Sequence, residues 1–142
     1  MAWLRDAWRR LRSAVASRPT SDRLPRSRAV GARGERIAEE YLRRHRYRIL
    51  FRNFRCEAGE IDLIARHSGQ LVFVEVKSRS DGAVAPEVQV DRDKQRRVAR
   101  AARVYLSRYG PAAPPHRFDI VAVVLRADGP PDVRHHVNAF AT

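Results

Sequence analysis

The sequence predicts an α/β fold in which a single mixed β-sheet is flanked by helices. Two stretches, 29–45 and 91–109, carry apolar residues at the spacing of amphipathic helices. Two apolar runs on either side of Ser68 and Gly69 have the pattern of an antiparallel hairpin. The β-branched run 117–125 is typical of a strand that is covered on both faces. With two shorter strand patterns, these segments give the element order α-β-β-β-α-β-β.

The first helix should bury a stripe that includes Ala38 and Leu42. Glu35 lies at the edge of that stripe, because it precedes these residues by about one and two helical turns. Its carboxylate could therefore reach the sheet or pair with an arginine at the rim. Glu39, one turn further along, is expected to be solvated.

Residues 47–54 alternate apolar and basic side chains and predict the first strand. Phe51 and Phe54 are expected to belong to the core. Arg52 and Arg55 lie beside them in the sequence and could hold a nucleic-acid backbone.

The hairpin carries the most informative residues of the chain. A turn centred between Ser68 and Gly69 sets a register in which Asp62 faces Glu75. Lys77 follows on the same face, and the opposite face is wholly apolar. The Cβ atoms of directly facing residues lie roughly 4.5–5.5 Å apart, so two such carboxylates could share one divalent cation.

Two facing acids also have consequences without a cation. They repel each other, which should raise the pKa of one of them. Lys77 could orient a water molecule or stabilise the charge that develops on a phosphate during attack. The alternative without chemistry is a solvated face on which Glu60 and Lys77 form a cross-strand ion pair.

Asp91 is a suitable N-cap for the second helix, and the residues before it, 80–89, are predicted to form a loop. Lys94 and Gln95 lie one turn before the buried stripe and on the same side, where they could hold a phosphate or position an attacking water. The remainder of the helix is either a solvated basic face or a groove for DNA, formed by Arg92, Arg96, Arg97, Arg100, Arg103 and Arg108.

The last two strands are predicted at 117–125 and 133–137. Asp119 is expected to be structural and paired with an arginine. His135 and His136 are adjacent, so on a strand they point to opposite faces and cannot bind one metal. Both are therefore expected at the surface.

The composition indicates one basic domain. The 142 residues include 29 Lys and Arg against 16 Asp and Glu, which gives a formal charge of +13. Nucleic acid is the commonest partner of such a chain, although a basic protein without that partner has the same composition. The single cysteine, Cys56, excludes an internal disulfide and favours a reducing, cytoplasmic location. The sequence has no apolar run of about 18 residues, so no integral membrane segment is predicted.

Residues 1–28 differ from the rest and are predicted to be a basic extension to a folded domain at 29–142. Apolar residues that include Trp3 and Trp8 recur there at helical spacing, with arginines on the other faces. Such a helix could contact an anionic membrane surface or a protein partner, or be a frayed extension without a role. Residues 18–28 have the composition of a flexible linker.

Asp62, followed after a short hairpin by Glu75-Val76-Lys77, resembles the PD-(D/E)XK nuclease motif. The chain also resembles the YraN-type family of predicted endonucleases over most of residues 31–125. The core is similar to that of archaeal Holliday-junction resolvases, in which a helix contributes a further glutamate that corresponds to Glu35. The stretches that carry the family resemblance are GARGERIAEEYL (31–42), NFRCEAGEIDLIA (53–65), FVEVKSR (73–79), KQRRVARAARVYL (94–106) and RFDIVAV (117–123).

The resemblance implies a restriction-endonuclease-like core and metal-dependent hydrolysis of phosphodiester bonds in DNA, branched or structured DNA included. Mg²⁺ or Mn²⁺ would be held by the carboxylates of Asp62, Glu75 and Glu35 and by the carbonyl of Val76. The implied catalytic set is Glu35, Asp62, Glu75, Lys77 and Gln95.

The expected partner is nucleic acid, DNA in preference to RNA, and a homodimer is compatible with the pattern. A catalytically weak or inactive nucleic-acid-binding module with the same fold is the alternative function. The residues expected to contact nucleic acid are Lys94, Arg79, Arg52, Arg55, Arg96 and Arg97.

Overall fold

The structure is a computed structural model that describes residues 26–80 and 91–141, so the predicted N-terminal helix and nearly all of the loop predicted at 80–89 lie outside the described residues. Two α-helices, α1 and α2, and five strands form the described part, in the predicted order α-β-β-β-α-β-β. Their bounds are α1 Arg26–Arg44, β1 Arg48–Cys56, β2 Gly59–His67, β3 Gln70–Ser80, α2 Arg92–Leu106, β4 His116–Leu125 and β5 Asp132–Phe140.

The five strands form one mixed sheet in the order β1-β2-β3-β4-β5. Neighbouring strands are antiparallel except for β3 and β4, which run parallel. Parallel neighbours need a long crossover connection, and α2 is the helix within that connection. The predicted fold class, a single mixed sheet flanked by helices, is confirmed.

Each face of the sheet packs against one helix, which divides the core into two clusters. Leu42 of α1 lies in the cluster that contains Val74. Tyr105 of α2 lies in the other cluster, together with Phe73. Successive residues of β3 point to opposite faces, so this strand is covered on both sides.

The hairpin between β2 and β3 has the predicted register, which extends as far as the pair Leu63–Val74. Its central residues, Ser68 and Gly69, have φ angles of 49° and 78°, as a two-residue type I′ turn requires. The turn signal therefore predicted the alignment next to the turn correctly, whereas the predicted pairs Asp62–Glu75 and Glu60–Lys77 lie beyond the regular pairing.

The alternative of a solvated hairpin face is not observed, and the prediction that Ile61 and Leu63 share one apolar face is wrong. β3 is buried on both faces from Leu71 to Val76, because α2 covers the face that carries Glu75. The alternation predicted for β2 also breaks at Asp62. Ile61 belongs to the core cluster on the α2 side, whereas Leu63 belongs to the cluster on the α1 side.

Two glycines determine how closely the helices approach the hairpin. A Cβ atom on Gly34 of α1 would lie 1.7 Å from Oγ of Ser78 in β3. A Cβ atom on Gly59, at the start of β2, would lie 2.5 Å from the carbonyl oxygen of Arg97 in α2. Because larger residues would push the helices outward, these glycines bring both helices to the same end of the hairpin.

The second helix begins as predicted and ends earlier than predicted. The side chain of Asp91 accepts a hydrogen bond from the backbone N–H of Lys94 at 3.0 Å, which confirms the N-cap. The α-helix ends at Leu106 rather than near residue 109, and the chain continues as a 3₁₀ helix, Ser107–Ala112, in which Gly110 has φ of 57°.

Candidate functional site

The carboxylate of Asp62 accepts a hydrogen bond from a backbone N–H of β3, as a backbone carbonyl would in a regular pair of strands. Its Oδ2 accepts a hydrogen bond from the backbone N–H of Val76 at 2.8 Å, just where the regular pairing of β2 and β3 ends. Burial raises the pKa of Asp62 and the charge of Glu75 adds to the rise, whereas the Val76 N–H and the charge of Lys94 oppose it. The carboxylate is thus fixed in position and partly withdrawn from water.

Glu75 is the second acid of the site and is only 3 % exposed. Its Oε1 lies 3.3 Å from Nζ of Lys94, one turn into α2. A buried carboxylate without a positive partner would be strongly destabilising, so this ion pair explains how β3 tolerates an acid inside its apolar run. Lys94 was predicted to face a site, and in the structure its ammonium faces the carboxylate of Glu75.

The ammonium of Lys94 interacts with both acids. Burial by itself lowers the pKa of Lys94, but the negative charges of Asp62 and Glu75 outweigh burial and leave the pKa raised. The Lys94 side chain is 33 % exposed, compared with 3 % for Glu75. The ammonium therefore lies at the solvent side of the acid pair.

Glu35 of α1 approaches Asp62 from the other face of the sheet. Burial raises its pKa, and the negative charge of Asp62 raises it further. The Asn53 side chain opposes the rise by hydrogen-bonding Glu35. Of the two alternatives for Glu35, a reach towards the sheet is therefore the one observed.

Asn53 is a site residue that sequence reasoning missed. It has φ of 50°, a left-handed conformation that asparagine tolerates better than most residues. An asparagine inside an otherwise apolar and basic strand was the available signal.

Lys77 and Val76 follow Glu75 on β3. Lys77 is half-buried, and its backbone pairs with Ala122 of β4. The pKa of Asp91 is lowered mainly by the Lys94 backbone N–H and to a smaller extent by the charge of Lys77. The charge of Lys77 therefore lies close enough to Asp91 to act on the beginning of α2.

The structure separates Lys94 from Gln95, which were predicted to face one site together. Lys94 lines a cleft of about 450 Å³ with Arg55, Arg97 and Glu60. Gln95 lines a different cleft, of about 530 Å³, on the other flank of α2. The other residues that line this second cleft are Arg92, Arg96, Ala99, Arg100, Arg103 and Ala141.

The expectation that Glu39 is solvated is wrong. Its carboxylate binds Arg43 at 2.8 Å within α1 and accepts a hydrogen bond of 2.7 Å from Nε of Arg52 in β1. The bond from Arg52 is the main cause of the lowered pKa of Glu39. Arg52, a predicted nucleic-acid contact, thus connects β1 to α1. Arg55 lies 3.5 Å from Glu60.

The oxygen atoms around Asp62 and Glu75 are of the ligand type that a hard divalent cation prefers. Mg²⁺ and Mn²⁺ prefer carboxylate and carbonyl oxygen, and Mg²⁺ is typically held by one or two carboxylates plus water. The ammonium of Lys94 already occupies a cation's place next to Glu75. Within residues 26–80 and 91–141, no three His, Cys, Asp or Glu side chains are grouped as metal ligands.

A second buried acid, Asp119, lies in β4 and is fully enclosed. Its carboxylate accepts hydrogen bonds from Nε of Arg117 at 3.0 Å and from the backbone N–H of Asn138 at 2.9 Å. Nε2 of His135 lies 2.8 Å from its Oδ2. The predicted pairing of Asp119 with an arginine is confirmed, and the surface position predicted for His135 is wrong.

The guanidinium of Arg117 extends this polar network. It donates to the hydroxyl of Tyr47 and to Oε1 of Gln70, each at 2.8 Å. The Tyr47 ring stacks on His67 with centroids 3.9 Å apart. The network joins Tyr47, the residue before β1, to strands β2–β5 around Asp119, and its hydrogen-bonded side chains indicate a structural role.

The fold and the site define a class: an α/β protein with helices on both sheet faces, whose hairpin carries a half-buried and a buried acid next to a lysine. Residues 34–123 match the model described as "Uncharacterised protein family UPF0102", and the chain belongs to this family. It is the YraN-type family predicted from the sequence. The matched residues include Glu35, Asp62, Glu75, Lys77 and Lys94.

Proteins from several bacteria are similar to this chain. A UPF0102 protein of Pelobacter propionicus is 45 % identical over 125 residues, which cover 86 % of this chain and 89 % of the relative. One of Symbiobacterium thermophilum is 50 % identical over 115 residues, 80 % of this chain and 98 % of the relative. One of Geobacter sulfurreducens is 42 % identical over 123 residues, which cover 86 % of this chain and 96 % of the relative.

Neither described helix combines the length and the apolar character needed to cross a bilayer.

Proposed function

We propose that this protein is a metal-dependent nuclease that hydrolyses phosphodiester bonds in DNA, in the cytoplasm. The observation that carries the proposal is the pair of withdrawn carboxylates, Asp62 and Glu75, at the end of the hairpin. Asp62 is fixed by the Val76 N–H and Glu75 is paired with Lys94. A sheet selected only for stability would not withdraw two interacting acids from water at the same end of a hairpin.

Asp62 and Glu75 would hold Mg²⁺ or Mn²⁺, with the carbonyl of Val76 as a further oxygen donor and Glu35 beside them. When bound, the cation would neutralise phosphate charge and supply an activated water. Glu35 has a raised pKa, so it holds a proton more readily than an exposed glutamate and could accept or return one near Asp62. Lys77 would orient the water or stabilise negative charge on the phosphate.

The charge distribution supports a nucleic-acid substrate. Arg55, Arg97 and Lys94 surround the cleft next to the acid pair. Arg96 lines the second cleft, and Arg79 lies half-buried near the end of β3. Guanidinium groups suit phosphate because they donate two parallel hydrogen bonds, and the formal charge of +13 would attract a polyanion from a distance.

The test is cleavage of plasmid, branched and flapped DNA by the purified full chain with Mg²⁺ or Mn²⁺. Asp62→Ala and Lys77→Ala should each reduce cleavage at least about 100-fold, because each removes a group placed at the reacting phosphate. Asp93→Ala is the matched control, since Asp93 is a surface acid paired with Arg96 at 3.2 Å. Cleavage that persists unchanged in both site variants would reject the proposal.

A second candidate function is a nucleic-acid-binding module of the same fold with little or no turnover. It is favoured by one observation, that Lys94 already neutralises Glu75. Binding to DNA that weakens with salt, needs no metal and leads to no cleavage of any substrate would establish this second function.

A further inference from the structure

The acid pair is already satisfied by a positive charge that belongs to the chain. Nζ of Lys94 lies 3.3 Å from Glu75, and its charge also acts on Asp62. The chain has only two lysines, Lys77 and Lys94, against 27 arginines that complete the 29 basic residues. An ammonium is the compact cation of the two side-chain types, and a flexible four-carbon stem carries it.

Lys94 is also placed so that it can leave. It lines the open cleft, whereas Glu75 is buried behind it. Its helix turn is held independently of the ammonium, because Asp91 caps the backbone N–H of Lys94. The side chain can therefore swing into the cleft, towards Arg55 and Arg97, without loss of the helix end.

We propose that Lys94 is the resident counter-ion of the acid pair and that a divalent cation must displace its ammonium in order to bind. This inference rests on the proposed function, because it presumes that Asp62 and Glu75 take up a metal. It assigns Lys94 two positions: against Glu75 when no metal is bound, and in the cleft when one is. In the cleft the ammonium would be available to a phosphate of the substrate.

Competition between the ammonium and the metal gives a direct test by calorimetric titration of the full chain with Mn²⁺. Lys94→Met keeps the length of the stem and removes the charge, so Mn²⁺ should bind at least about tenfold more tightly, the low end for close charge pairs. Lys94→Arg retains a charge and should stay near the wild-type affinity. Arg97→Met removes a charge from the same cleft, and its effect should stay within about twofold because that side chain is exposed and screened.

The outcomes separate this inference from the proposed function. If wild type and Lys94→Met bind Mn²⁺ equally, or the variant binds more weakly, Lys94 is not the competing cation although the metal site exists. If Arg97→Met tightens Mn²⁺ binding as much as Lys94→Met, the effect arises from the overall positive charge of the cleft and the inference fails. If neither wild type nor Lys94→Met binds Mn²⁺, both the inference and the metal-dependent function are rejected.

A measurement on the wild type keeps the inference testable if Lys94→Met fails to fold. With only two lysines, the acetylation rate of each amine by acetic anhydride can be followed by mass spectrometry of peptides. Mg²⁺ should accelerate acetylation of Lys94 severalfold, and it should not do so in Asp62→Asn, where the metal site is impaired. An unchanged or slower rate at Lys94 with saturating Mg²⁺ would overturn the inference.

Discussion

Among the residues that the structure describes, the two buried acids, Glu75 and Asp119, occupy neighbouring parallel strands and have opposite surroundings. Asp119 is enclosed and bonded to Arg117, His135 and the Asn138 backbone. Glu75 has the Lys94 ammonium at its open side, and a cleft lies beyond it. A carboxylate whose acceptor positions are all used can only stabilise the fold, whereas the carboxylate of Glu75 is paired with an ammonium that borders an open cleft. The comparison therefore separates a structural acid from the acid that we propose to be functional.

The largest expected effect is loss of activity in Glu75→Gln. The amide has the same shape and carries no charge, so the core should tolerate it while a divalent cation loses a ligand. We expect cleavage to fall at least about 1,000-fold, about 4 kcal/mol in transition-state stabilisation, with thermal stability close to wild type. Activity assays check the loss of cleavage, and thermal unfolding checks that stability is unchanged. A Glu75→Gln protein that stays active would contradict the functional role proposed for Glu75.

Asp119→Ala should show the reverse behaviour. It leaves the Arg117 guanidinium, which is mostly buried, and the Asn138 backbone N–H without their partner, which should cost about 3–5 kcal/mol in the free energy of unfolding. Urea denaturation measures that loss, and Mn²⁺ affinity of the folded fraction should not change. Asp132→Asn is the control, because Asp132 forms longer ion pairs with Arg126 and Arg134, at 3.7 and 3.8 Å, and should cost no more than about 1 kcal/mol.

A smaller effect is expected where α1 meets the hairpin. Gly34→Ala places a methyl group against Ser78 and should destabilise the fold by about 1–3 kcal/mol. Gly31→Ala, in the same helix with open space around it, should instead stabilise by about 0.5–1 kcal/mol. Ser78→Gly should rescue Gly34→Ala in a double variant, and an additive double variant would show that the contact is not the cause.

The smallest effect is a difference in pH dependence between the two kinds of acid. Hydrogen bonds from His135 and Arg117 outweigh burial and lower the pKa of Asp119. Its stabilisation is therefore complete above the unfolded-state pKa of about 3.9 and is lost as pH falls through the lower folded pKa. Burial raises the pKa of Asp62, so its ionisation opposes folding as pH rises above the unfolded value.

Asp62→Asn should consequently be more stable than wild type at neutral pH, by about 0.5–1 kcal/mol, because the neutral amide avoids the cost of burying a charge. The gain should disappear as pH falls below the unfolded-state pKa, because Asp62 is then protonated in both states. Urea denaturation across the pH range measures the free energy of unfolding of both proteins. An Asp62→Asn protein that is less stable than wild type at neutral pH would contradict the raised pKa assigned to Asp62.

Local patterns were sufficient for the framework of the fold. The residues Ser68 and Gly69 specify a turn with two left-handed residues, and that turn alone fixes how Leu63 meets Val74. The N-cap at Asp91 was equally local, since its bond spans three residues. Strands and helices followed from periodicity because their burial repeats at fixed intervals.

The contacts that define the site are non-local and could not be predicted in the same way. The alternation of β2 fails at Asp62, because the side chain bonds to Val76 in the plane of the sheet. The bonds of Arg52 to Glu39 and of His135 to Asp119 depend on how far side chains reach between elements. Lys94 and Gln95 are neighbours in sequence, yet α2 directs them to different clefts because adjacent helical residues lie about 100° apart.

The bond between Asp62 and the Val76 amide gives the protein an intrinsic spectroscopic reporter. An amide proton that donates to a carboxylate changes its resonance when that oxygen gains a proton or an ion. The nitrogen–proton signal of Val76 should therefore follow the state of the acid pair in solution without any substrate. One backbone resonance then allows ligands of this fold to be screened before its reaction has been measured.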